Sequence, residues 1–304
     1  MRLGFVGLGN LGSHLAASLL RAGFALTVHD RDRAAAGPLL TAGAAWADSP
    51  CATARASDSV FTCLPSPSAV TEVVSGAGSG LLDGLRPGTT WIDSSTNDLH
   101  ELRRLAGLAQ SAGVHCLEAP VTGGVHLAAA GRITVLVGGE HAVFEAHRGV
   151  FEAIAERIFH IGPLGSASVI KVITNMLAFI HLVAAGEALM LARRAGLDLG
   201  QAFEAIRASS GNSFVHETES QVILNGSYNI GFTLDLACKD LNFAHQLGRE
   251  HGVPLELAAL VEQTFIRARE RYGGTAWSPM VVKLLEDALG TDLRAAGFPP
   301  TIDA

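Results

Sequence analysis

The pattern of apolar and polar residues changes once along this chain, close to Gly162. Before that point, short apolar runs rich in β-branched and aromatic residues alternate with amphipathic segments, which predicts a sheet built from strand-helix-strand units. The predicted strands are Leu3 to Val6, Ala25 to His29, Ser59 to Leu64, Thr89 to Asp93, His115 to Glu118 and Ile133 to Val137. Helices are predicted from Leu11 to Ala22 and from Glu101 to Ala112, each followed by a glycine of the kind that ends helices.

After Gly162, nearly all of the pattern is helical. The predicted helices run from Ser166 to Arg194, Leu199 to Ser209, Phe214 to Leu224, Leu236 to His251, Pro254 to Arg271 and Met280 to Leu289. We therefore expect an α/β protein with a doubly wound parallel sheet in residues 1–162 and an all-α domain in residues 163–304. Gly162-Pro163 marks the predicted boundary, and residues 297–304, which include Pro299-Pro300, are expected to form a loose tail.

The composition is that of a globular protein with room for about two domains. Of the 304 residues, 48% are hydrophobic and 17% are charged, which excludes a disordered or fibrous chain. The 22 Lys and Arg residues against 29 Asp and Glu give a formal charge of -7, and without a basic run this balance disfavours a nucleic-acid partner. The twelve histidines show no ligand spacing, so no metal site is predicted.

The cysteines and the apolar stretches favour a protein of the reducing cytoplasm. Cys51, Cys63, Cys116 and Cys238 lie far apart without a CxxC pair, which indicates neither a disulfide framework nor a zinc knuckle. The run from Leu3 to Leu8 is too short for a signal peptide. The stretch from Val172 to Gly186 contains His181 and is shorter than the ~20 apolar residues that cross a bilayer, so we interpret it as a core helix and expect no membrane partner.

A glycine-rich sequence follows the first predicted strand and opens the first predicted helix. In Gly7-Leu8-Gly9-Asn10-Leu11-Gly12, the first glycine permits a tight turn, the second lets the backbone approach a pyrophosphate, and the third allows close helix packing. The helix N-terminus then offers backbone N–H groups to the anion. A plain strand-to-helix turn is the simpler alternative, but the strand-turn-helix context favours a dinucleotide loop.

The second predicted strand leads into an acid, Asp30, at the distance at which dinucleotide-binding proteins carry a ligand for the adenosine ribose. The charge of Asp30 disfavours a 2′-phosphate and therefore indicates NAD. Arg31 and Arg33 could neutralise such a phosphate, so NADP stays possible.

Three further motifs follow the glycine fingerprint in a fixed order. They are Glu118-Ala119-Pro120-Val121-Thr122-Gly123-Gly124, then Gly165-Ser166-Ala167-Ser168-Val169-Ile170-Lys171 with Asn175, then Phe232 with Lys239-Asp240. With these motifs the sequence resembles, from about Arg2 to Leu289, the β-hydroxyacid dehydrogenase family, which includes 3-hydroxyisobutyrate dehydrogenase. The resemblance implies a Rossmann-type domain joined by a long helix to a helical domain, a cleft between the domains, and a homodimer or homotetramer.

The resemblance also implies roles for individual residues. Lys171 would be the catalytic acid/base, and Asn175 would orient the substrate. Thr122 and the amides of Gly123 and Gly124 would hold a small carboxylate substrate. The other implied contacts are Leu64, Pro65 and Thr96 along the cofactor, Lys239 facing cofactor and substrate, and Phe232 in the substrate site.

The spacing of Lys171 and Asn175 suits alcohol oxidation, because residues four apart share one face of a helix. As hydride leaves the carbinol carbon, the hydroxyl proton needs a base, and a lysine in a desolvated site can accept it. Without the motifs, a snorkelling lysine at the start of an apolar helix would be the simpler interpretation. A turn would equally explain Thr122-Gly123-Gly124, although two glycine amides and a hydroxyl can converge on an anion.

Several positions depart from the family pattern. The family commonly has Asp where this chain has Glu118, Ser where it has Thr122, Asn where it has Thr174, and small residues where it has His126 and Leu127. We therefore expect the hydride-transfer chemistry of the family to be retained, and the wall of the substrate pocket to differ from that of other members.

The main hypothesis is an NAD-dependent oxidoreductase of a small β-hydroxy acid. One alternative is an NADPH-dependent reductase of a small semialdehyde or glyoxylate. Another is a non-catalytic dinucleotide-binding protein, which would have no need of Lys171, Asn175 and Lys239.

Overall fold

The computed structural model describes residues 1–302 and divides the chain into two compact units, with the division between Lys171 and Val172. This point lies inside one continuous helix, Ser166–Arg194, which begins just after the predicted boundary at Gly162-Pro163. The first unit is α/β and the second is helical. The predicted fold class, a Rossmann-type unit followed by a helical unit, is confirmed.

The first unit contains a nine-stranded sheet. Its strands are β1 (Arg2–Val6), β2 (Ala25–His29), β3 (Ala45–Trp46), β4 (Ser59–Thr62), β5 (Thr90–Asp93), β6 (His115–Glu118), β7 (Val121–Thr122), β8 (Ile133–Gly139) and β9 (Ala155–Gly162). The order across the sheet is β3-β2-β1-β4-β5-β6-β8-β7, and β9 pairs with β8.

The first six strands pair in parallel, as predicted for a doubly wound sheet, whereas the sheet is mixed beyond β6. Strand β8 is antiparallel to β6 and β7, and β9 is parallel to β8. Only residues 123–132 connect β7 to β8, and a parallel crossover needs about a dozen residues or more, so the chain returns in the opposite direction. The sequence pattern missed β9 because Glu156, Arg157 and His160 interrupt its apolar residues.

Alternate residues of the central strands enter two separate cores. Phe61 of β4 and Ile92 of β5 are buried in one core, and their neighbours Val60 and Trp91 are buried in the other. Successive side chains of a strand point to opposite faces, so both faces of the sheet are covered. The helices of this unit are α1 (Gly12–Arg21), α2 (Gly37–Thr41), α3 (Pro50–Arg55), α4 (Pro67–Ser75), α5 (Leu99–Ser111), α6 (Gly124–Ala129), α7 (His141–Ala146) and α8 (Arg148–Glu152).

The second unit consists of the remainder of α9 (Ser166–Arg194) and the helices that follow it. These are α10 (Leu199–Arg207), α11 (Phe214–Asn225), α12 (Leu234–Glu250), α13 (Glu256–Tyr272) and α14 (Lys283–Leu289). By length and composition α9 could cross a bilayer, but this is weak evidence because core helices pass the same test. Leu182 and Leu189 of α9 are buried in the core of this unit together with Phe265 of α13, as the interpretation of a core helix requires.

The expectation of a loose tail is wrong for residues 297–302. Phe298 packs edge-on against Phe203, with ring centroids 5.0 Å apart, and its carbonyl oxygen accepts a hydrogen bond of 2.8 Å from Nδ2 of Asn225. Oγ of Ser227 donates a hydrogen bond of 2.6 Å to the carbonyl oxygen of Pro300. The prolines indicated only that no helix continues, whereas the packing of a partly buried aromatic ring against the helical core anchors the segment. Residues 303 and 304 lie outside the described residues.

A buried histidine links α7 to the sheet of the first unit. Nδ1 of His147 lies 2.8 Å from the carbonyl oxygen of Val143, and its Nε2 lies 2.8 Å from Oγ of Ser59 on β4. A carbonyl oxygen only accepts, so Nδ1 carries the proton and the neutral Nε2 accepts from the Ser59 hydroxyl. Burial lowers the pKa of His147 below its ordinary value of 6.5.

We expect His147 to make the free energy of unfolding fall at acidic pH. The folded protein keeps His147 neutral, whereas the unfolded chain takes up a proton as the pH falls through about 6.5, so the stabilisation is complete above that pH and is lost below it. In His147→Gln, which does not titrate, urea unfolding should give a free energy that falls less steeply between about pH 7.5 and 5.5, by up to ~1.4 kcal/mol per pH unit. Equal slopes for the two proteins would contradict this prediction.

Candidate active site

Five parallel strands of the first unit end in one row. The register pairs His29 with Val6, Val6 with Thr62, Thr62 with Asp93 and Asp93 with Glu118, and each of these is the last residue of its strand. The loops that follow these strands therefore leave from the same edge of the sheet. Doubly wound proteins bind their ligands at this edge.

The loop from Gly7 to Gly12 follows β1 and has the shape that a bound pyrophosphate needs. Gly7 has a φ of 98°, and a Cβ there would lie 2.3 Å from the carbonyl oxygen of Cys63, so only glycine fits. A Cβ on Gly12 would lie 2.0 Å from the carbonyl oxygen of Gly7, whereas a Cβ on Gly9 would meet no atom within 4 Å. The loop is closely packed at both ends and open in the middle.

Helix α1 begins in this loop without a side-chain cap, because Leu11 occupies its N-cap position. By contrast, the side chains of Ser49, Ser66 and Asp98 cap α3, α4 and α5. An N-terminus that is not covered by a capping side chain suits backbone hydrogen bonds to a phosphate. The residues present therefore fit the pyrophosphate of NAD or NADP.

Asp30 follows β2 and contacts the glycine loop. Its Oδ2 accepts a hydrogen bond of 2.6 Å from the N–H of Leu8, and its Oδ1 accepts one of 2.9 Å from the N–H of Asp32. The carboxylate is thus held beside the loop, as a ribose ligand needs to be. Arg31 is exposed, and the guanidinium of Arg33 lies over the Trp46 ring, 5.4 Å from its centroid.

Asp93, which sequence reasoning did not select, joins the end of β4 to the loop after β5 at the sheet edge. It is 1% exposed, its Oδ1 accepts hydrogen bonds from Oγ1 of Thr62 at 2.9 Å and from the N–H of Ser95 at 3.0 Å, and its Oδ2 accepts one from Nδ2 of Asn97 at 3.0 Å. Oγ of Ser95 in turn accepts the N–H of Leu64 at 2.9 Å. Burial raises the pKa of Asp93, and the hydrogen bonds from these neighbours oppose that effect.

This network brings together the loops that carry Leu64, Pro65 and Thr96. Leu64 and Thr96 are half-buried, and Pro65 is exposed. One feature of the sequence could have indicated Asp93, namely an acid at the end of a predicted buried strand. Burying a carboxylate there is unfavourable unless neighbouring groups donate hydrogen bonds to it.

Thr122, Gly123 and Gly124 lie where β7 passes into α6. Both glycines have positive φ, 121° for Gly123 and 83° for Gly124. A Cβ on Gly123 would lie 2.8 Å from Cδ1 of Leu127, and a Cβ on Gly124 would lie 3.1 Å from the imidazole of His126. Two of the positions that depart from the family pattern, His126 and Leu127, therefore lie against the glycines of the predicted carboxylate site. Burial lowers the pKa of His126.

Lys171 lies near the start of α9 and is only 8% exposed. The first turn of this helix is held by Glu118, the last residue of β6, which is 1% exposed. Its Oε1 accepts the N–H of Gly165 at 2.6 Å and of Ala167 at 2.8 Å, and its Oε2 accepts the N–H of Ser168 at 3.0 Å and the hydroxyl of the same serine. The predicted catalytic lysine is therefore on a helix that is tied to the edge of the sheet.

In the second unit, one buried acid joins two predicted site residues. Asp240 of α12 is 1% exposed, its Oδ2 accepts a hydrogen bond of 2.6 Å from Nδ2 of Asn175, and its Oδ1 accepts one of 2.7 Å from Nζ of Lys239. Nζ of Lys239 also lies 4.9 Å from the centroid of the Phe243 ring. Sequence reasoning included Asp240 in a motif but gave it no role, because nothing in the spacing shows that Asn175 is its partner.

The remaining predicted residue of this unit, Phe232, is half-buried beside the helical core. Its ring centroid lies 6.0 Å from that of Phe179. Within residues 1–302, no group of three or more His, Cys, Asp or Glu side chains is arranged to hold a metal ion.

Family models match both units of the chain. Residues 2–162 match the family described as the NAD binding domain of 6-phosphogluconate dehydrogenase. Residues 165–285 match the family described as NAD-binding of NADP-dependent 3-hydroxyisobutyrate dehydrogenase.

Individual relatives are similar over most of their length. The 2-(hydroxymethyl)glutarate dehydrogenase of Eubacterium barkeri is 33% identical over 294 residues, covering 96% of this chain and 97% of the relative. The NAD-dependent L-serine dehydrogenase of Pseudomonas aeruginosa is 35% identical over 252 residues, covering 81% and 84%. The solved structure of Mycobacterium tuberculosis 3-hydroxyisobutyrate dehydrogenase with L-serine is 30% identical with a TM-score of 0.83, covering 94% of this chain and 99% of that one.

These similarities confirm the resemblance that the four motifs indicated. The chain is an oxidoreductase that acts on CH–OH groups with a nicotinamide cofactor, NAD or NADP. It belongs to the β-hydroxyacid dehydrogenase family, whose members transfer a hydride between a small hydroxy acid and a nicotinamide cofactor.

Proposed function

We propose that this enzyme interconverts a small β-hydroxy acid, similar to 3-hydroxyisobutyrate, and its semialdehyde, with Lys171 as the general acid/base. The observation that carries this proposal is the burial of Lys171 on a helix whose first turn is bonded to the strand-end edge of the sheet. Lysine is seldom so fully buried unless it is paired or functional.

The chemical step requires one proton acceptor besides the hydride acceptor. Bound NAD or NADP supplies the hydride acceptor. As the hydride leaves the carbinol carbon, the hydroxyl proton passes to the amine of Lys171, and in the reverse direction the ammonium returns that proton to the carbonyl oxygen. Asn175 lies one turn further along α9, and its amide, fixed by Asp240, would orient the substrate.

The substrate carboxylate would be held by the hydroxyl of Thr122 and the N–H groups of Gly123 and Gly124. Glycines leave backbone N–H groups without side-chain cover, which suits an anion. His126 and Leu127 lie against these glycines, so we propose that they restrict the acids that fit. Lys239 would face cofactor and substrate, and Phe232 would contribute an apolar wall.

For the cofactor, we propose NAD, held by the loop Gly7-Leu8-Gly9-Asn10-Leu11-Gly12, with Leu64, Pro65 and Thr96 along it. Asp30 would accept hydrogen bonds from the adenosine ribose, and its charge would repel a 2′-phosphate. The exposed Arg31 next to it supports a second candidate, an NADPH-dependent reductase of a small semialdehyde or glyoxylate.

We further propose a cytoplasmic homodimer or homotetramer that binds neither nucleic acid nor membranes. Large apolar side chains are exposed on helices of the second unit, including Leu177 and Leu191 of α9 and Leu260 of α13, which supports an interface with a further copy of the chain. Light scattering from the purified protein measures the assembly directly, and a monomeric mass would contradict the proposed oligomer.

Replacing Lys171 tests the proposed mechanism. We expect Lys171→Ala to lower kcat by ~10² to 10⁴, the usual contribution of a positioned acid/base, while cofactor affinity stays near that of the wild type. Lys283→Ala is the matched control, since Lys283 pairs with Asp287 on the surface of α14. Full activity of Lys171→Ala with a panel of short hydroxy acids would exclude the mechanism.

Replacing Asp30 tests the choice of cofactor. If its carboxylate selects NAD, Asp30→Ala should narrow the preference in kcat/KM for NAD over NADP by at least ~1.4 kcal/mol, a factor of ten. Asp32→Ala is the control, because Asp32 is the next acid along and caps the short turn at Ala34. An unchanged ratio would assign the preference to Arg31 and the rest of the loop.

Replacing Thr122 tests the substrate class. A hydrogen bond to a charged group contributes ~1.5 to 3 kcal/mol, so Thr122→Ala should raise KM for carboxylate substrates by a corresponding factor. Thr122→Ser keeps the hydroxyl and removes a methyl group, and we expect it to accept bulkier acids with less loss of rate. The comparison uses an acid and its uncharged amide analogue, and an equal effect on both would show that Thr122 does not bind the carboxylate.

A further inference from the structure

Glu118 makes an unusual set of contacts for a side chain at the end of a strand. The first N–H groups of an α-helix have no partner within the helix, and at the start of α9 three backbone N–H groups and one hydroxyl all donate to this single carboxylate. Every partner is a donor, so both oxygens act as acceptors and the helix start is covered on the side of the sheet. A negative charge at this end also suits the helix dipole.

The space for Glu118 depends on a glycine in the neighbouring strand. Gly138 of β8 pairs with Glu118 in the antiparallel ladder, and a Cβ at 138 would lie 2.1 Å from Oε1 and 2.9 Å from Cδ and Cγ of Glu118. The three nearest atoms all belong to this one side chain. An alanine at 138 would therefore displace the carboxylate from the helix.

Glu118 is connected to both parts of the proposed catalytic machinery. Along the backbone, Ala119-Pro120 leads from it directly into β7 and to Thr122. Through its hydrogen bonds, it holds Ser168, and Lys171 follows three residues later in the same helix. The length of the Glu118 side chain thus sets the distance between the start of α9, which carries Lys171, and the end of β6, from which the chain continues into β7 and Thr122.

We propose that Glu118 is a positioning residue for hydride transfer: its carboxylate fixes the first turn of α9, and through it Lys171, with Gly138 providing the room. This inference rests on the proposed function of Lys171. Because displacement of a reacting group by about 1 Å can cost ~10²-fold in rate, the effect should appear in kcat rather than in binding.

Three substitutions test the contact in different ways. Glu118→Gln keeps the size but replaces one acceptor oxygen with an amide NH2 group, a donor that faces N–H donors. Glu118→Asp keeps the charge and withdraws the carboxylate by about one bond length of ~1.5 Å. Gly138→Ala keeps glutamate at position 118 but displaces its side chain. The matched controls are Glu152→Gln on the surface and Gly149→Ala in α8, where an added Cβ meets no atom within 4 Å.

We expect Glu118→Gln and Glu118→Asp to lower kcat by about 10- to 100-fold, with KM for the hydroxy acid and Kd for the cofactor within about threefold of the wild type. Gly138→Ala should lower kcat similarly in the wild-type background and by less than about threefold in Glu118→Asp, since the carboxylate contact that the alanine disrupts is already weakened in that variant. Both controls should keep the wild-type kcat.

Two further measurements separate positioning from general stability. In the Lys171→Ala background, Glu118→Asp should reduce the residual kcat by less than about twofold, because the group that it positions is missing. Hydrogen exchange of the backbone N–H groups of residues 165, 167 and 168 should become faster in the Glu118 variants. This measurement does not depend on enzyme activity, so it can also be made on a variant with a lower melting temperature.

The outcomes are distinguishable. If Lys171→Ala is as active as the wild type, the proposed function fails, and the positioning of a catalytic lysine fails with it. If Lys171→Ala is impaired but Glu118→Asp causes the same fold loss with and without Lys171, the function stands and the positioning role is overturned. Faster exchange at the helix start with an unchanged kcat would likewise reduce Glu118 to a structural cap.

Discussion

The in-register ending of five parallel strands is the constraint on which the rest of the first unit depends. The last residues of these strands, His29, Val6, Thr62, Asp93 and Glu118, lie in one row. The loops after them therefore start side by side, and groups far apart in sequence meet at one edge. The glycine loop is confined there by the carbonyl oxygen of Cys63, which leaves no space for a side chain at Gly7. The location of the site therefore depends on the register of the sheet more than on any single residue.

Buried acids hold the elements that leave this edge. The carboxylate of Asp93 ties the end of β4 to the loop after β5, and that of Glu118 ties β6 to the start of α9. Burial raises the pKa of both carboxyl groups, and hydrogen bonds from backbone and side chains oppose the shift. Burying a carboxylate costs free energy unless donors bond to it. Moving these donors away would incur that cost, so the buried acid also holds its donors in position.

The second unit uses the same device on a smaller scale. Asp240 accepts one hydrogen bond from Asn175 of α9 and one from its neighbour Lys239. Two residues that sequence motifs predicted separately are thus oriented by a third, which had no predicted role. In both units the groups proposed to perform the chemistry are held by carboxylates whose importance is visible only in their contacts.

The sequence by itself determined the two-part architecture, the cofactor loop and the family. Apolar periodicity, glycines at strand-to-helix junctions and the order of four motifs depend on residues close together in the chain, so local physical chemistry is enough to interpret them. Only the tertiary structure decided the antiparallel direction of β8, the anchoring of Phe298 and the contacts of Asp93, Glu118 and Asp240. The contacts of Phe298, Asp93, Glu118 and Asp240 include partners tens of residues away, such as Phe203 for Phe298 and Gly165 for Glu118. Which partner such a side chain meets is set by strand register and helix packing rather than by spacing along the chain.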